Sequence, residues 1–129
     1  MMVLDTHALL WWALDPDKLS RKAKTALTRM EDERGWVSSI SFWELAIKVE
    51  RGQLELGVSV DELARRVARS KAVEIVPVDT DLWLASVALE WEHRDPADRV
   101  IAATALQRNV PLLTKDQILH DWGGVRCVW

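Results

Sequence analysis

Carboxylates recur in this sequence at positions where a fold could gather them for chemistry. Asp5 ends the apolar run "MVLD", and Asp116 ends "PLLTKD". Glu44 lies one turn into a segment of helical character, and Asp98 lies just before a run of small apolar residues. Carboxylates within about 4 to 6 Å raise one another's pKa, so such a cluster is unfavourable unless a cation neutralises it. Hard oxygen donors suit Mg²⁺ or Mn²⁺ far better than Zn²⁺.

Each of these acids also has a purely structural interpretation. Asp5 can cap a helix that follows it, and Asp116 can cap the short segment "QILHDW". Ser41 and Glu44 have the Ser-x-x-Glu form of a capping box at the start of "SFWELAIKVERG". Taken singly, each acid is typical of a helix start, and only the set of four indicates a metal site.

The stretch "HRDPADRVIAATA" concentrates charge at the start of a predicted helix. Asp95 followed by Pro96 has the form of an N-cap and a first helical residue. Asp98 falls in the first turn, where an acid interacts favourably with the helix dipole. Our hypothesis is that Asp95 starts the helix, with a possible indirect role at the site, and that Asp98 holds a metal.

Three further residues are predicted to support the acids. Thr6 and Thr114 place hydroxyls beside Asp5 and Asp116, where they could hold a water or a phosphate oxygen. Arg99 could orient a carboxylate through its planar guanidinium, although a solvated surface arginine is an equally good interpretation.

Short apolar runs alternate with amphipathic segments along the chain. The runs "MMVLD", "WVSS", "VEIVPV", "VPLLTKD" and "VRCVW" predict strands. The segments "THALLWWAL", "SRKAKTALTRMEDE", "SFWELAIKVERG", "SVDELARRVARS" and "DTDLWLASVALEWE" predict helices, as does the segment after Asp95. This alternation predicts parallel βαβ units in a three-layer α/β/α sandwich, within a single domain covering residues 1–129. Ligands bind such sheets at the carboxyl ends of the strands, which is where the acids fall.

Composition narrows the class of protein. The chain has 129 residues, of which 49% are hydrophobic and 29% charged, which is the size and balance of one domain. The single cysteine, Cys127, cannot form an internal disulfide, and the start lacks the pattern of a secretory signal, so we expect a cytoplasmic protein. No apolar run is long enough to predict a membrane span.

The charge balance argues against one kind of nucleic-acid binding. A net charge of −3 does not suit non-specific duplex binding by a large basic surface. Two basic clusters could follow a phosphate backbone, although a solvated helix face is the simpler interpretation; they are Lys18, Arg21, Lys22, Lys24 and Arg65, Arg66, Arg69, Lys71. Among the eight tryptophans, Trp11, Trp12 and Trp43 could stack on unpaired bases, fill the core or form a protein-binding groove.

Four stretches, in this order, resemble the PIN-domain ribonucleases, specifically the VapC-type toxins of bacterial toxin-antitoxin pairs. They are "VLDTHALLW", "SSISFWELAIKVERGQL", "RDPADRVIAATA" and "PLLTKD". Short pieces such as "DT" or "TKD" are unspecific by themselves. The likeness is carried by the ordered set, which covers nearly the whole chain.

This resemblance implies an Mg²⁺- or Mn²⁺-dependent endoribonuclease that acts on single-stranded or loop regions of structured RNA such as tRNA, rRNA or mRNA. By position, Asp5, Glu44, Asp98 and Asp116 match the family's acidic quartet, and Thr114 matches its accompanying hydroxyl. Members commonly form homodimers and are inhibited by an antitoxin encoded beside them. The implied partners are therefore RNA, a cognate antitoxin and a second copy of the chain.

The residues suit this chemistry. One or two ions held by Asp5, Asp98 and Asp116 would lower the pKa of a bound water, with Glu44 completing the set or accepting the water's proton. Attack by water leaves 5′-phosphate and 3′-hydroxyl ends. Of the histidines, His7 lies nearest to the predicted edge of the sheet, and we assign it no role.

Two other classes of protein share parts of this pattern. A phosphoacceptor signalling domain also combines a parallel sheet, acids and Mg²⁺, with a threonine and a lysine near a late strand end, as in Thr114 and Lys115. It needs paired acids after the first strand, whereas Asp5 is followed by Thr6 and His7. An inactive binding protein of the same fold is expected to lack a member of the quartet, and none is missing here.

Overall fold

A sheet of five parallel strands runs through the middle of the molecule, which the computed structural model describes over residues 1–129. The strands are β1 (Met2–Leu4), β2 (Gly35–Ser38), β3 (Val73–Val76), β4 (Leu112–Leu113) and β5 (Cys127–Val128). Their order across the sheet is β3-β2-β1-β4-β5, and every neighbouring pair is parallel. The direction of winding changes between β1 and β4, which makes this the expected place for a ligand.

Seven α-helices connect and cover the strands. They are α1 (Thr6–Leu14), α2 (Arg21–Glu33), α3 (Ile40–Glu50), α4 (Val60–Arg69), α5 (Thr80–Ala88), α6 (Pro96–Arg108) and α7 (Gln117–Trp122). None of them is both long and apolar enough to cross a membrane.

Each face of the sheet has its own hydrophobic core. Leu4 points to a core shared with Leu9 of α1, Leu27 of α2 and Leu63 of α4. Val3, the neighbour of Leu4, belongs to a second core with residues of α5, α6 and α7. Successive side chains of a strand point to opposite faces, so a strand covered on both sides must be apolar throughout, as "MVL" is. The predicted α/β/α sandwich is confirmed.

Side-chain caps start most of the helices where the sequence predicts them. The side-chain oxygens of the N-cap residues accept hydrogen bonds from backbone N–H groups in the first turns of α1, α2, α4, α5, α6 and α7; these caps are Asp5, Ser20, Ser59, Asp79, Asp95 and Asp116. Each cap satisfies a backbone donor that has no partner within its helix. Three of the six caps, Asp5, Asp95 and Asp116, stand at the edge where the acids meet.

Two predicted helix boundaries are wrong. The helix predicted over residues 79–92 ends at Ala88, because the carbonyls that follow bind a side chain of α6, described below. The helix predicted to begin after Ser41 starts at Ile40, so Ser41 lies inside α3 and does not cap it. The second correction removes the capping-box interpretation of Glu44.

Candidate active site

A cavity of about 510 Å³ opens at the carboxyl edge of the sheet, beside the ends of β1 and β4. All four acids of the predicted quartet line it, together with Asp95; the quartet is Asp5, Glu44, Asp98 and Asp116. They come from four different elements of the chain, because Asp5 follows β1, Glu44 lies in α3, Asp98 lies in α6 and Asp116 follows β4. The fold thus gathers acids that are up to 111 positions apart in sequence, counted from Asp5 to Asp116.

Asp5 is held more firmly than the other acids. The residue is 3% exposed, and its backbone N–H donates to the carbonyl of Leu113 on the adjacent strand. One carboxylate oxygen, Oδ1, accepts from the N–H of Thr6 at 2.7 Å, and Oδ2 accepts from the hydroxyl of Thr114 at 2.6 Å. A buried carboxylate needs such donors, and here they also fix its orientation.

Thr114 connects two acids of the quartet. Its hydroxyl donates to Asp5 and accepts from the backbone N–H of Asp116 at 3.0 Å. The Thr114 side chain is fully buried and does not line the cavity. Its hydroxyl is therefore not free to hold a water or a phosphate oxygen, as the sequence suggested, and instead sets the positions of Asp5 and Asp116.

The hydroxyl of Thr6 has a protein partner as well. It donates to the hydroxyl of Ser41 at 2.9 Å, and both residues are buried. This bond joins the start of α1 to α3, the helix that carries Glu44. This link uses the hydroxyl proton of Thr6, and because Thr6 still lines the cavity, its role in holding a water stays a prediction.

Glu44 projects into the cavity from the second turn of α3. Its side chain is 17% exposed, and its only ionic partner is Lys48, one turn further along, at 3.9 Å. Removal of the capping box leaves Glu44 without a structural role in starting the helix. A largely buried glutamate with one distant and exposed partner is available for chemistry in the cavity.

Asp95 and Asp98 have different roles at the start of α6. Oδ1 of Asp95 accepts from the N–H of Asp98 at 3.0 Å, which confirms Asp95 as the N-cap. The Asp98 side chain caps nothing. Burial raises the pKa of Asp98 from 3.8 to about 7, and the charges of the neighbouring acids Asp5, Asp95 and Asp116 add to this rise. Its position is costly for a carboxylate unless a positive charge is near.

His93 is a site residue that the sequence reading missed. Its Nε2 lies 2.6 Å from Oδ2 of Asp98, and this hydrogen bond is the one influence that lowers the pKa of Asp98. His93 stands in the loop between α5 and α6, and its ring packs against Trp91 with centroids 4.7 Å apart. In the sequence His93 differs from other residues only by lying five positions before Asp98. This spacing does not predict a contact unless the path of the loop is known.

The prediction that Arg99 orients a carboxylate is wrong. Its guanidinium donates instead to five backbone carbonyls at 2.6–3.1 Å, those of Ser86, Val87, Leu89, Trp91 and His93. The first two belong to the last turn of α5, whose carbonyls have no partners within the helix. Arg99 therefore ends α5 and holds the loop that presents His93 to Asp98.

The chemistry of this cavity suits a divalent cation. As they stand, no three Asp, Glu, His or Cys side chains converge tightly enough to hold one metal ion. The donor set nevertheless consists of the carboxylate oxygens that Mg²⁺ and Mn²⁺ prefer. Burial, and then the charges of the neighbouring acids, raise the pKa of Asp98, and a bound cation would offset both effects. The residues present thus fit such an ion in type and in charge.

No residue of the two basic clusters lines this cavity. Arg65, Arg66 and Arg69 all pair with Glu62 on the exposed face of α4, at 3.2–3.4 Å. This arrangement is the solvated helix face considered for them above. Of the three tryptophans considered for stacking, only Trp11 lines the cavity.

Known proteins resemble this chain in sequence and in fold. The family model described as "PIN domain" matches residues 2–124. Ribonuclease VapC22 of Mycobacterium tuberculosis is 33% identical over 121 residues, which cover 93% of this chain and 90% of that protein. FitAcB from Neisseria gonorrhoeae has a similar fold, with a TM-score of 0.68, 23% identity and coverage of 98% and 96% of the two chains. A toxin-antitoxin complex from Klebsiella pneumoniae matches with a TM-score of 0.58, 24% identity and coverage of 91% and 88%.

Proposed function

The chain belongs to the PIN domain family, and from this membership together with the geometry of its cavity we propose that it is a VapC-type, metal-dependent endoribonuclease. The observation that carries the proposal is the cavity itself, lined by Asp5, Glu44, Asp98 and Asp116 from four elements of the fold. These acids stand at the edge where open parallel sheets bind ligands. The name of the Mycobacterium tuberculosis relative, a ribonuclease, supports the same activity.

In this proposal Asp5, Asp98 and Asp116 hold Mg²⁺ or Mn²⁺. When bound, the ion would lower the pKa of a water and offset negative charge on the phosphodiester oxygens. Hydrogen bonds from Thr114 and from the N–H of Thr6 already orient the Asp5 carboxylate. Binding of the ion therefore costs little side-chain conformational entropy at Asp5.

Glu44 and His93 have the remaining roles in the proposed reaction. Glu44 lies in the cavity with one exposed partner and is placed to accept the proton of the attacking water. His93 holds one oxygen of Asp98 and leaves the other without a protein partner. Attack of water on phosphorus with cleavage of the P–O3′ bond would give 5′-phosphate and 3′-hydroxyl ends on the RNA, with O3′ leaving as the protonated hydroxyl. Asp95 keeps the start of α6, and with it Asp98, in position.

We further propose a cognate antitoxin and a second copy of the chain as partners. The Klebsiella pneumoniae structure of similar fold is a toxin-antitoxin complex, which supports the antitoxin. Exposed apolar residues on α5, namely Trp83, Leu84 and Val87, offer surface for a protein contact.

The experiment that tests the activity compares purified wild type with Asp98→Asn and Asp32→Asn on total cellular RNA. Asp32 is an exposed acid of α2 away from the cavity, so its variant is a matched control for the loss of one charge. Each protein is incubated with Mg²⁺, with Mn²⁺ and with EDTA, and new RNA ends are mapped by their chemistry. We expect discrete cuts with 5′-phosphate ends for wild type and Asp32→Asn, none with EDTA, and none for Asp98→Asn.

Two outcomes would contradict the proposal. Cleavage that persists in EDTA, or that is equal in wild type and a folded Asp98→Asn protein, would remove the metal and Asp98 from the reaction. Absence of any cleavage by wild type would favour the alternative of an inactive binding protein that keeps the fold.

A further inference from the structure

A tryptophan stands at the rim of the acidic cavity. Trp11 lies in the second turn of α1 and lines the cavity together with Asp5, Asp98 and Asp116. Its side chain is half-buried, so part of the indole surface is open to a molecule that enters the cavity. The other tryptophans of α1 and α3, Trp12 and Trp43, do not line it.

Two aromatic rings hold the indole of Trp11 in place. The ring of His7 lies 5.1 Å away and that of Trp129 lies 5.6 Å away, both tilted by more than 50°. His7 is itself fixed, because its Nε2 accepts from the N–H of Lys115 at 2.9 Å. The ring proton of His7 is thereby assigned to Nδ1, which lies 3.5 Å from Oδ2 of Asp5. The indole is thus tied to the site through His7.

Two lysines lie over the same indole. The Nζ of Lys115 is 5.5 Å from the ring centroid of Trp11, and that of Lys18 is 5.9 Å from it. Lys115 is exposed and has no ionic partner, whereas Lys18 pairs with Asp15 at 3.5 Å. Positive charge therefore gathers over one aromatic ring at the rim of a cavity lined by carboxylates.

We propose that Trp11, Lys18 and Lys115 form a subsite for one unpaired nucleotide of a single-stranded RNA, with its base on the indole and an adjacent phosphate at the lysines. This subsite rests on the proposed nuclease function, since it binds the strand whose neighbouring phosphate would enter the cavity. Base stacking on an aromatic side chain gains more free energy than an exposed lysine over the same ring. A base can therefore displace a lysine, whose flexible side chain then remains close enough to bind phosphate.

A nucleic acid explains this combination better than a protein segment does. An apolar protein segment could bind through contact with the indole surface. The two lysines over the ring would add no binding free energy for such a segment. A strand with stacking bases and regular negative charge uses both features. Because bases in a duplex already stack on one another, the subsite selects unpaired RNA.

The test measures RNA binding separately from cleavage. All variants are made in the Asp98→Asn protein with Mg²⁺ present, and the probe is a fluorescein-labelled single-stranded RNA of mixed sequence, alone or annealed to its complement. Trp11→Ala and Trp11→Leu remove the stacking ring, and Trp11→Leu retains an apolar side chain. Trp43→Ala and Lys24→Gln are the matched controls, since both residues are exposed and lie outside the cavity.

We expect both Trp11 variants to weaken single-strand binding by about 5- to 150-fold, the usual range for loss of one stacked base. Lys115→Gln should reduce the slope of log affinity against log salt by about 0.7, the value for one phosphate contact on a single strand. The Trp11 variants should leave this slope unchanged. Trp43→Ala and Lys24→Gln should bind the single strand as the parent protein does.

Equal affinity of Trp11→Leu and the parent protein would overturn the subsite and leave Trp11 to packing or to a protein contact. An equal loss on the duplex probe would also overturn it, since stacking requires an unpaired base. The proposed nuclease function fails separately, in the cleavage assay with wild type. Cleavage with unchanged KM in Trp11→Leu would leave the nuclease standing without this subsite.

Discussion

The imidazole of His93 lies 2.6 Å from Oδ2 of Asp98 and ties the loop between α5 and α6 to the most perturbed carboxylate of the cavity. No other protein group binds the Asp98 carboxylate. The bond takes one oxygen and leaves the other unpartnered, which is the arrangement by which an outer residue orients a metal-binding carboxylate.

Removal of this histidine should weaken metal-dependent activity while the fold is kept. We expect His93→Ala to raise the Mn²⁺ concentration needed for half-maximal cleavage, or to lower activity, by about 10- to 100-fold. His93→Gln, which retains a hydrogen-bond donor, should restore much of the loss. The measurement is a Mn²⁺ titration of RNA cleavage for the three proteins. Identical titrations for wild type and His93→Ala would show that the contact does not matter for activity.

The stability of the metal-free protein should depend on pH through Asp98. Burial first, and then the neighbouring acids, raise the pKa of Asp98 from 3.8 to about 7. Between these values the folded protein retains a proton that the unfolded chain has released, so the free energy of unfolding falls as the pH rises. The contribution of Asp98 to this fall is on the order of a few kcal/mol, because one pKa unit corresponds to about 1.4 kcal/mol.

Urea unfolding across this pH range, with EDTA present, measures the effect. Asp98→Asn lacks the titrating group and should lose less stability than wild type as the pH rises, while Asp32→Asn should follow wild type. Added Mg²⁺ should flatten the profile of wild type, because the cation replaces the proton. Parallel profiles for wild type and Asp98→Asn would contradict the raised pKa.

Arg99 should matter for stability more than an ordinary surface arginine does. Its five carbonyl partners lose a charged donor in Arg99→Ala, and we expect a loss of about 3 kcal/mol in the free energy of unfolding. Arg99→Lys keeps the charge but not the planar fork, so it should recover only part of this. Arg94→Ala, which changes an exposed arginine in the same loop, is the control. Hydrogen exchange of residues 86–95 should rise in the Arg99 variants alone.

Two substitutions of Thr114 separate the effect of side-chain volume from the effect of its hydrogen bond to Asp5. Thr114→Val keeps the volume but leaves Asp5 without its 2.6 Å donor, so we expect a loss of about 1–3 kcal/mol in stability together with reduced cleavage. Thr114→Ser keeps the hydroxyl and should retain activity. Denaturant unfolding and RNA cleavage are measured on both variants. Equal activity of the two would show that the position of Asp5 does not depend on Thr114.

The acids were predictable because the chain marks them locally. Asp5 and Asp116 end apolar runs, and in a parallel sheet the carboxyl ends of strands share one edge. Asp95 was predictable as an N-cap because a proline follows it. These features depend on neighbours within a few residues, and so the sequence alone carries them.

The supporting contacts were not predictable, because they join residues that only the tertiary fold brings together. The bond between Thr6 and Ser41 spans 35 positions, and that between Thr114 and Asp5 spans 109. The local sequence also predicted the end of α5 wrongly, because the helical spacing of apolar residues continues to Glu92. In the structure Arg99 donates to backbone carbonyls from Ser86 onward, and the helix ends at Ala88. A helix end set by a side chain of the next helix leaves no local signal.

The thiol of Cys127 offers a probe of the charge in the cavity that does not depend on activity. Burial, and then the charges of Asp5 and Asp116, raise the pKa of Cys127 from 9.0 to about 11. The thiolate fraction at neutral pH is then about 100-fold lower than for a free thiol, so alkylation of the native protein should be slow. Asp116→Asn should speed this reaction, whereas Asp98→Asn should leave it unchanged, because only the first variant removes a charge that acts on the thiol. Asparagine can still cap α7, so the variant should keep this helix. Equal alkylation rates of the unfolded proteins in denaturant would show that the difference arises from the folded state. A similar rate for Asp116→Asn and wild type would show that the charge of Asp116 does not slow the reaction of the thiol.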